Sequence, residues 1–219
     1  MEELVKQIKK MGHQLVKCPN NCEGITKDLS KGIIPRCLFL EYENRADSIG
    51  SIVVGINPGI ATEKEMEFYV KNGNSYDSIL SFWNPGWRYY SYLRDFLNCF
   101  GFRGPILWTE LAKCQSSIKG ELPPTQTFRT CVNKYLNDEL KIVDKSWPLI
   151  AVGKETYKAL AYLYPNRTVI GVPHPTSSWG SFHPLFQNPT REQFSDDVKI
   201  KVQEILKNSA VAKWLGKKE

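Results

Sequence analysis

Two strand-length apolar runs in this chain stop abruptly in short, stiff loops, and that pairing constrains the fold more than any other feature. Ser51-Ile52-Val53-Val54 runs into Gly55-Ile56-Asn57-Pro58-Gly59, and Thr168-Val169-Ile170-Gly171-Val172-Pro173 runs into His174-Pro175-Thr176. Short, continuous, β-branched runs bounded by Gly and Pro predict strands buried on both faces, the kind found in parallel sheets covered by helices. In such sheets ligands bind at the carboxyl ends of the strands. The two loops therefore deliver an amide, Asn57, and an imidazole, His174, to the edge where a cleft forms in that architecture.

The rest of the pattern alternates in the same sense. Leu4, Ile8, Met11 and Leu15 recur at helical spacing across 1–16, with Lys6, Lys9 and Lys10 left for water. A polar loop follows over 18–35. Strands are predicted over 36–42, 51–55, 105–113, 148–152 and 168–173, and helices over 61–70, 87–100, 123–143, 154–163 and 198–206. With 219 residues, 42% of them hydrophobic, the chain can bury a sizeable core, and no repeat or long linker divides it. The expected fold is α/β: one domain over 1–219, a three-layer α/β/α sandwich around a central, mainly parallel four-stranded sheet. It carries a cysteine-bearing loop at 17–35 and a C-terminal helix and basic tail at 190–219.

No apolar run reaches the roughly 18 residues that span a bilayer, and Met1-Glu2-Glu3 begins no secretory signal. The expectation is a monomeric cytoplasmic protein without a membrane partner, nucleoid-associated if prokaryotic. The formal charge of +6 favours an anionic partner without saying which.

In such a compartment six cysteines read as reduced core residues or metal ligands rather than disulfides. Cys18 and Cys22 bracket Pro-Asn-Asn in a polar loop, Cys114 ends a strand, and Cys131 sits on a helix after a Ser-, Gly- and Pro-rich loop. These are poor places to bury an apolar thiol. Cys37, in an apolar strand, and Cys99, in a helix, read as core. Four thiolates could hold tetrahedral zinc, a cluster, or nothing.

The two motif loops together resemble the uracil-DNA glycosylase superfamily, whose signatures are a strand-end Gly-x-Asn-Pro-Gly and a later His-Pro-Ser or His-Pro-Ala. The Gly55–Gly59 form is that of its mismatch-specific and single-strand-selective members. Thr109-Glu110-Leu111-Ala112-Lys113-Cys114 resembles that family's second strand, and Pro148 to Glu155 its third, so the likeness covers roughly residues 18 to 180. It implies hydrolysis of the N-glycosidic bond of a damaged or deaminated base in DNA, uracil by default, leaving an abasic site. The cysteine layout resembles the iron–sulfur branch and implies a [4Fe–4S] cluster on Cys18, Cys22, Cys114 and Cys131, with zinc or no metal as alternatives. The first pair is separated by three residues where that branch more often has two.

The chemistry suits the residues. As a base–sugar bond breaks, positive charge grows on the sugar and negative charge on the departing base. The carbonyl oxygen of Asn57 can orient water or lie against the sugar, and a neutral His174 can donate to a base carbonyl. Gly55, Ile56, Phe82 and Glu110 are the expected base-binding residues. Phe82 lies in a Phe-Trp-Asn-Pro segment resembling the one that stacks on a flipped base. Trp179 and Phe182 stand where relatives place a wedge that enters the duplex, and Ser116, Ser117, Ser177, Ser178, Lys113, Lys119 and Lys154 are expected to meet DNA phosphates. Glu110 departs from the Asn that relatives reading uracil carry there: an ionised carboxylate only accepts hydrogen bonds, so it suits an amino-bearing base or must be protonated to serve uracil. Two other functions remain open, a catalytically weak DNA-binding relative and an α/β enzyme acting on nucleosides or nucleotides.

Overall fold

The computed structural model describes residues 1–42, 48–175, 195–208 and 210–216. In chain order the elements are α1 (Glu2–Val16), β1 (Ile25–Thr26), a 3-10 turn (Leu29–Lys31), β2 (Phe39–Glu41), β3 (Ser51–Gly55), α2 (Glu63–Lys71), α3 (Tyr76–Phe82), α4 (Arg88–Cys99), β4 (Ile106–Glu110) and β5 (Gln115–Ser116). They continue with α5 (Thr125–Cys131), a π-helical stretch (Val132–Leu136), α6 (Asn137–Ile142), β6 (Leu149–Val152), α7 (Lys154–Leu163), β7 (Val169–Val172), α8 (Asp196–Lys207) and β8 (Ala212–Trp214). The architecture is mixed α/β, with a mostly parallel sheet flanked by helices. Strand order is β2-β4-β3-β6-β7-β8, and β1 and β5 pair separately. Among the described residues no helix is long and apolar enough to cross a membrane.

The sheet has six strands, where the expected sandwich had four and the predicted strand spans numbered five. The added strand β8 lies in the tail; Ala212-Lys213-Trp214 is too short and too mixed to show an apolar run. β2 begins at Phe39 rather than at 36 because Cys37 takes a left-handed conformation, φ 69°, unusual for a side-chain-bearing residue, which breaks the strand before it starts. α3 escapes periodicity because it has only seven residues. Its start is nonetheless fixed by a capping box: Ser75 Oγ accepts from Ser78 N, and Ser78 Oγ accepts from Ser75 N.

The chain divides into two compact units, Met1–Leu40, Gly55–Asn84 and Trp108–Asp144 in the first, and Glu41–Val54, Pro85–Leu107 and Lys145–Glu219 in the second. In the second unit β3, β6, β7 and β8 run parallel, in registers such as Val53↔Ile150, Ile150↔Ile170 and Ile170↔Lys213. Ile52, Val54, Leu149, Ile150 and Val169 are completely buried, as strands covered on both faces must be. Gly171 of β7 must be glycine, since a Cβ there would run into the rings of Trp214 and Tyr157.

In the first unit α1 buries Ile8, Gly12, Leu15 and Val16 on one face, as its spacing predicts. The Tyr76 ring lies over Gly12, and its hydroxyl donates to the Leu38 carbonyl at 2.6 Å. α5, the π-helical stretch and α6 form one continuous helix from Thr125 to Ile142, as expected for 123–143.

Candidate active site and cysteine cavity

The first motif loop leaves β3 and is joined to the exit of β4. Leu111 N donates to Gly55 O at 2.9 Å and Ala112 N donates to Ile56 O at 3.0 Å, so Gly55, Ile56 and Glu110 come together in the first unit. Gly55 has a specific reason to be glycine. A Cβ there would collide with the Glu110 carboxyl, which lies against the bare backbone.

Asn57 is held in one orientation. Its Nδ2 donates to the Pro58 carbonyl at 3.1 Å and to Ser116 Oγ at 3.1 Å. A backbone carbonyl can only accept, so the nitrogen must face it, and the side-chain oxygen is turned the other way. Ser116, expected to meet phosphate, is buried and serves as the anchor for Asn57. Its neighbour Ser117 is exposed, and Ser117 N donates to Gly24 O.

Sequence reasoning missed the residue that clamps this loop. Arg36 is only 6% exposed and donates from Nη2 to the Gly59 carbonyl and from Nη1 to Gln115 Oε1 at 3.3 Å, while its Nε lies 3.0 Å from Glu65 Oε1. Gln115 Oε1 also accepts from Ala61 N at 2.9 Å. The two-residue strand β5 thus holds both ends of the loop, through Ser116 to Asn57 and through Gln115 to Ala61. An arginine inside the apolar run 33–39 was the available signal, since a buried guanidinium needs partners on several sides.

Glu110 ends β4, and its Oε2 is shut off from water with no hydrogen-bond partner. Burial raises its pKa to about 8, against the pull of the Lys113 and Arg36 charges, so the acid is largely neutral at pH 7. The Cys37 thiol lies in the same surroundings and is likewise pushed up, first by burial and then by the Glu110 charge. Cys37, expected in the core of a strand, is half-buried and lies before the strand rather than in it.

Lys113 requires a correction. It is 1% exposed and cannot present its ammonium to a phosphate. Its Nζ lies 2.9 Å from each Glu139 carboxylate oxygen and donates to Thr109 Oγ1, whose hydroxyl in turn donates to Glu139 Oε2 at 2.6 Å. Glu139 faces inward from α6 and supplies the counter-charge that makes this burial possible. Lys119 is exposed, and Lys154 starts α7.

Phe82 closes α3 and packs against Phe68 and Tyr69, with ring centroids 5.3 and 5.6 Å away. Tyr69 donates from its hydroxyl to Glu65 Oε1 at 3.0 Å, which connects this aromatic cluster to the Arg36 clamp. His174 belongs to the second unit. It follows β7 by two residues, is exposed, and its ring lies 5.5 Å from that of Tyr89. Ser177, Ser178, Trp179 and Phe182 lie outside the described residues.

Cys18, Cys22, Cys114 and Cys131 all line one cavity of the first unit, together with Lys113 and Tyr135. Local folding explains the gathering. β1 pairs with β5, Ile25 opposite Ser116, which brings the Cys22 loop beside Cys114. Thr127 Oγ1 donates to the Glu23 carbonyl at 2.7 Å, tying the same loop to α5 four residues before Cys131. Lys27 Nζ donates to the carbonyls of Cys18 and Asn20 at 2.8 and 2.9 Å and curls the Cys18–Cys22 loop around itself.

Burial raises Cys114 to about 12, and the charges of the other three thiols push it the same way. Cys131 and Cys22 are also raised, burial leading in both. Soft thiolate donors of this kind suit zinc or an iron–sulfur cluster. Among the described residues, however, no group of three or more His, Cys, Asp or Glu is arranged to hold a metal ion. The quartet shares a cavity without closing on a common point. Cys99 ends α4 and lies in the other unit.

No protein-family model matches this chain, and a search of curated proteins likewise finds no match.

Proposed function

We propose that this chain is a DNA glycosylase that removes a damaged or deaminated base, uracil by default, by hydrolysing its N-glycosidic bond. The observation that carries this is the fixed orientation of Asn57, whose nitrogen is committed to Pro58 O and Ser116 Oγ. Its carbonyl oxygen is the end left to hold water or to face a sugar gathering positive charge. An amide is too weak a base to deprotonate water fully, so the departing base must leave as a stabilised anion. His174 is the residue assigned to that task, donating from a neutral imidazole. Glu110 and Gly55 line the same strand ends, where the base edge would be met.

The four cysteines would hold a [4Fe–4S] cluster or a zinc ion. Such a centre would supply structural closure, fastening the amino-terminal loop to the segments that carry Cys114 and Cys131. Because β5 also anchors Asn57 and the loop that follows it, order in the cysteine region is transmitted to the proposed catalytic amide. The partner is DNA carrying the altered base, and the moderate positive charge supports that choice.

The test is a panel of oligonucleotides bearing single uracil, hypoxanthine, xanthine, thymine or alkylated bases, assayed for abasic-site formation beside free nucleosides. Base release from at least one oligonucleotide, with nucleosides left intact, supports the proposal. Cleavage of nucleosides alone identifies a nucleoside hydrolase instead, and cleavage of neither leaves a DNA-binding relative.

A further inference from the structure

Tyr135 carries a hydroxyl that the fold buries among thiols. The residue is 8% exposed, and its hydroxyl oxygen is shut off from water and makes no hydrogen bond among the described residues. It lines the same cavity as Cys18, Cys22, Cys114 and Cys131, and of the residues lining that cavity it alone has a buried side-chain oxygen or nitrogen left without a partner. Among the ionisable groups around the phenol the thiols act on it most strongly, Cys18 foremost, then Cys131 and Cys114. A buried O–H is costly to leave unmade, and such a group points to a partner that completes it. Local structure explains its place. Tyr135 follows Cys131 by four residues, which sets both on the side of the helix that faces the cavity, and the turn between them is the π-helical stretch Val132–Leu136. Single π-helical turns inside α-helices are frequent at functional sites. Cys18 is also met by Lys134, whose Nζ lies 3.9 Å from its sulfur and 3.3 Å from Asn20 Oδ1. That ammonium is exposed and screened by water, so the buried phenol is the stronger donor.

We propose that Tyr135 donates its hydroxyl hydrogen to the Cys18 thiolate when the four cysteines hold a metal centre, and that this bond retains the metal and raises the reduction potential of an iron–sulfur form. This rests on the metal centre proposed above and not on the glycosylase reaction. A thiol is a weak acceptor, so in the metal-free chain the hydroxyl gains little from its sulfur neighbours. Metal ligation releases the Cys18 proton to solvent and leaves a charged sulfur beside the hydroxyl, and a hydrogen bond to a charged acceptor is about twice as strong as a neutral one. The donor set fits: four soft thiols supply acceptors, and the orphaned phenol supplies the donor they lack. Hydrogen bonds to the sulfurs are one of the levers that set a cluster's potential, and a donor favours the more negative, reduced state. Tyr135 is a positioning residue in this account, since it acts on the metal through Cys18.

The test compares wild type with Tyr135→Phe, which deletes the hydroxyl alone. Each full chain is stripped of metal by a chelator and then reloaded anaerobically with ferrous iron and sulfide or, separately, with zinc. Stripped, the variant should melt at or above wild type, because it loses an unsatisfied hydroxyl. Reloaded, it should melt below wild type, and a competing chelator should take its metal about three- to tenfold faster, the worth of one hydrogen bond to a charged group. The midpoint potential of its iron–sulfur form should fall. A merely structural hydroxyl would lower the melting temperature equally with and without metal and leave release rate and potential unchanged. That outcome overturns the inference while the metal centre stands. If wild type takes up neither iron with sulfide nor zinc, the metal centre fails and the inference falls with it. Base excision enters none of these readings, so a chain that releases no base from any oligonucleotide leaves the result as it is.

Discussion

Replacing Lys113 by alanine strips the counter-ion from a carboxylate that water does not reach. Lys113 and Glu139 are each 1% exposed at the side chain, and the ammonium sits 2.9 Å from both carboxylate oxygens while Thr109 bridges the pair. Breaking a buried pair by deleting one partner costs about 3–5 kcal/mol, mostly the penalty of the charge left behind. For a chain of this size each kcal/mol moves the melting temperature by roughly 2–4 °C, so Lys113→Ala should melt roughly 6–20 °C lower. The double variant Lys113→Met with Glu139→Leu removes both charges and should recover most of that loss, since an apolar replacement of a whole buried pair is often neutral. Thermal and urea unfolding of the two singles and the double close the cycle. A Lys113→Ala variant within 1 kcal/mol of wild type, or a double variant no better than the worse single, would refute the argument that charge burial dominates.

Two further outcomes follow from named contacts. Cys18→Ser, Cys22→Ser, Cys114→Ser and Cys131→Ser should each lose bound iron or zinc together with stability, whereas Cys37→Ser and Cys99→Ser, at half-buried positions, should keep the metal and cost at most about 1–3 kcal/mol. Elemental analysis of the six purified variants reads this directly, and full metal in all of the first four would end the assignment. Gly55→Ala should destabilise by about 1–3 kcal/mol and displace the Glu110 carboxyl, because the added methyl would occupy its place. Stability unchanged in that variant, with uracil binding intact, would mean the carboxyl does not rest on Gly55.

Much of the architecture was legible because buried parallel strands write themselves as unbroken β-branched runs. β3, β6 and β7 match their predicted spans to within a residue or two, and α7 matches its span outright. Elements stabilised by tertiary contact rather than by pattern were not legible. β5 has two residues and no periodicity, yet it anchors Asn57 through Ser116 and the following loop through Gln115. Lys113 was misread because a lysine at the end of a predicted strand resembles a solvated one; its partner Glu139 lies 26 positions away, and only folding brings them together. The candidate site was half legible. Asn57, Glu110 and the four cysteines are visible as residue types at strand ends and in polar loops, but the Arg36 clamp and the orphaned Glu110 oxygen come from packing that no local pattern encodes.

The central claim, that Asn57 acts on the transition state, is tested most directly by comparing single-turnover base excision and DNA affinity of wild type and Asn57→Ala on the same uracil-bearing oligonucleotide. The account predicts excision slowed by at least about a hundredfold with affinity nearly unchanged, because the amide oxygen contributes to the developing charge and little to backbone binding. Equal losses in affinity and rate, or a variant that excises as fast as wild type, would contradict it.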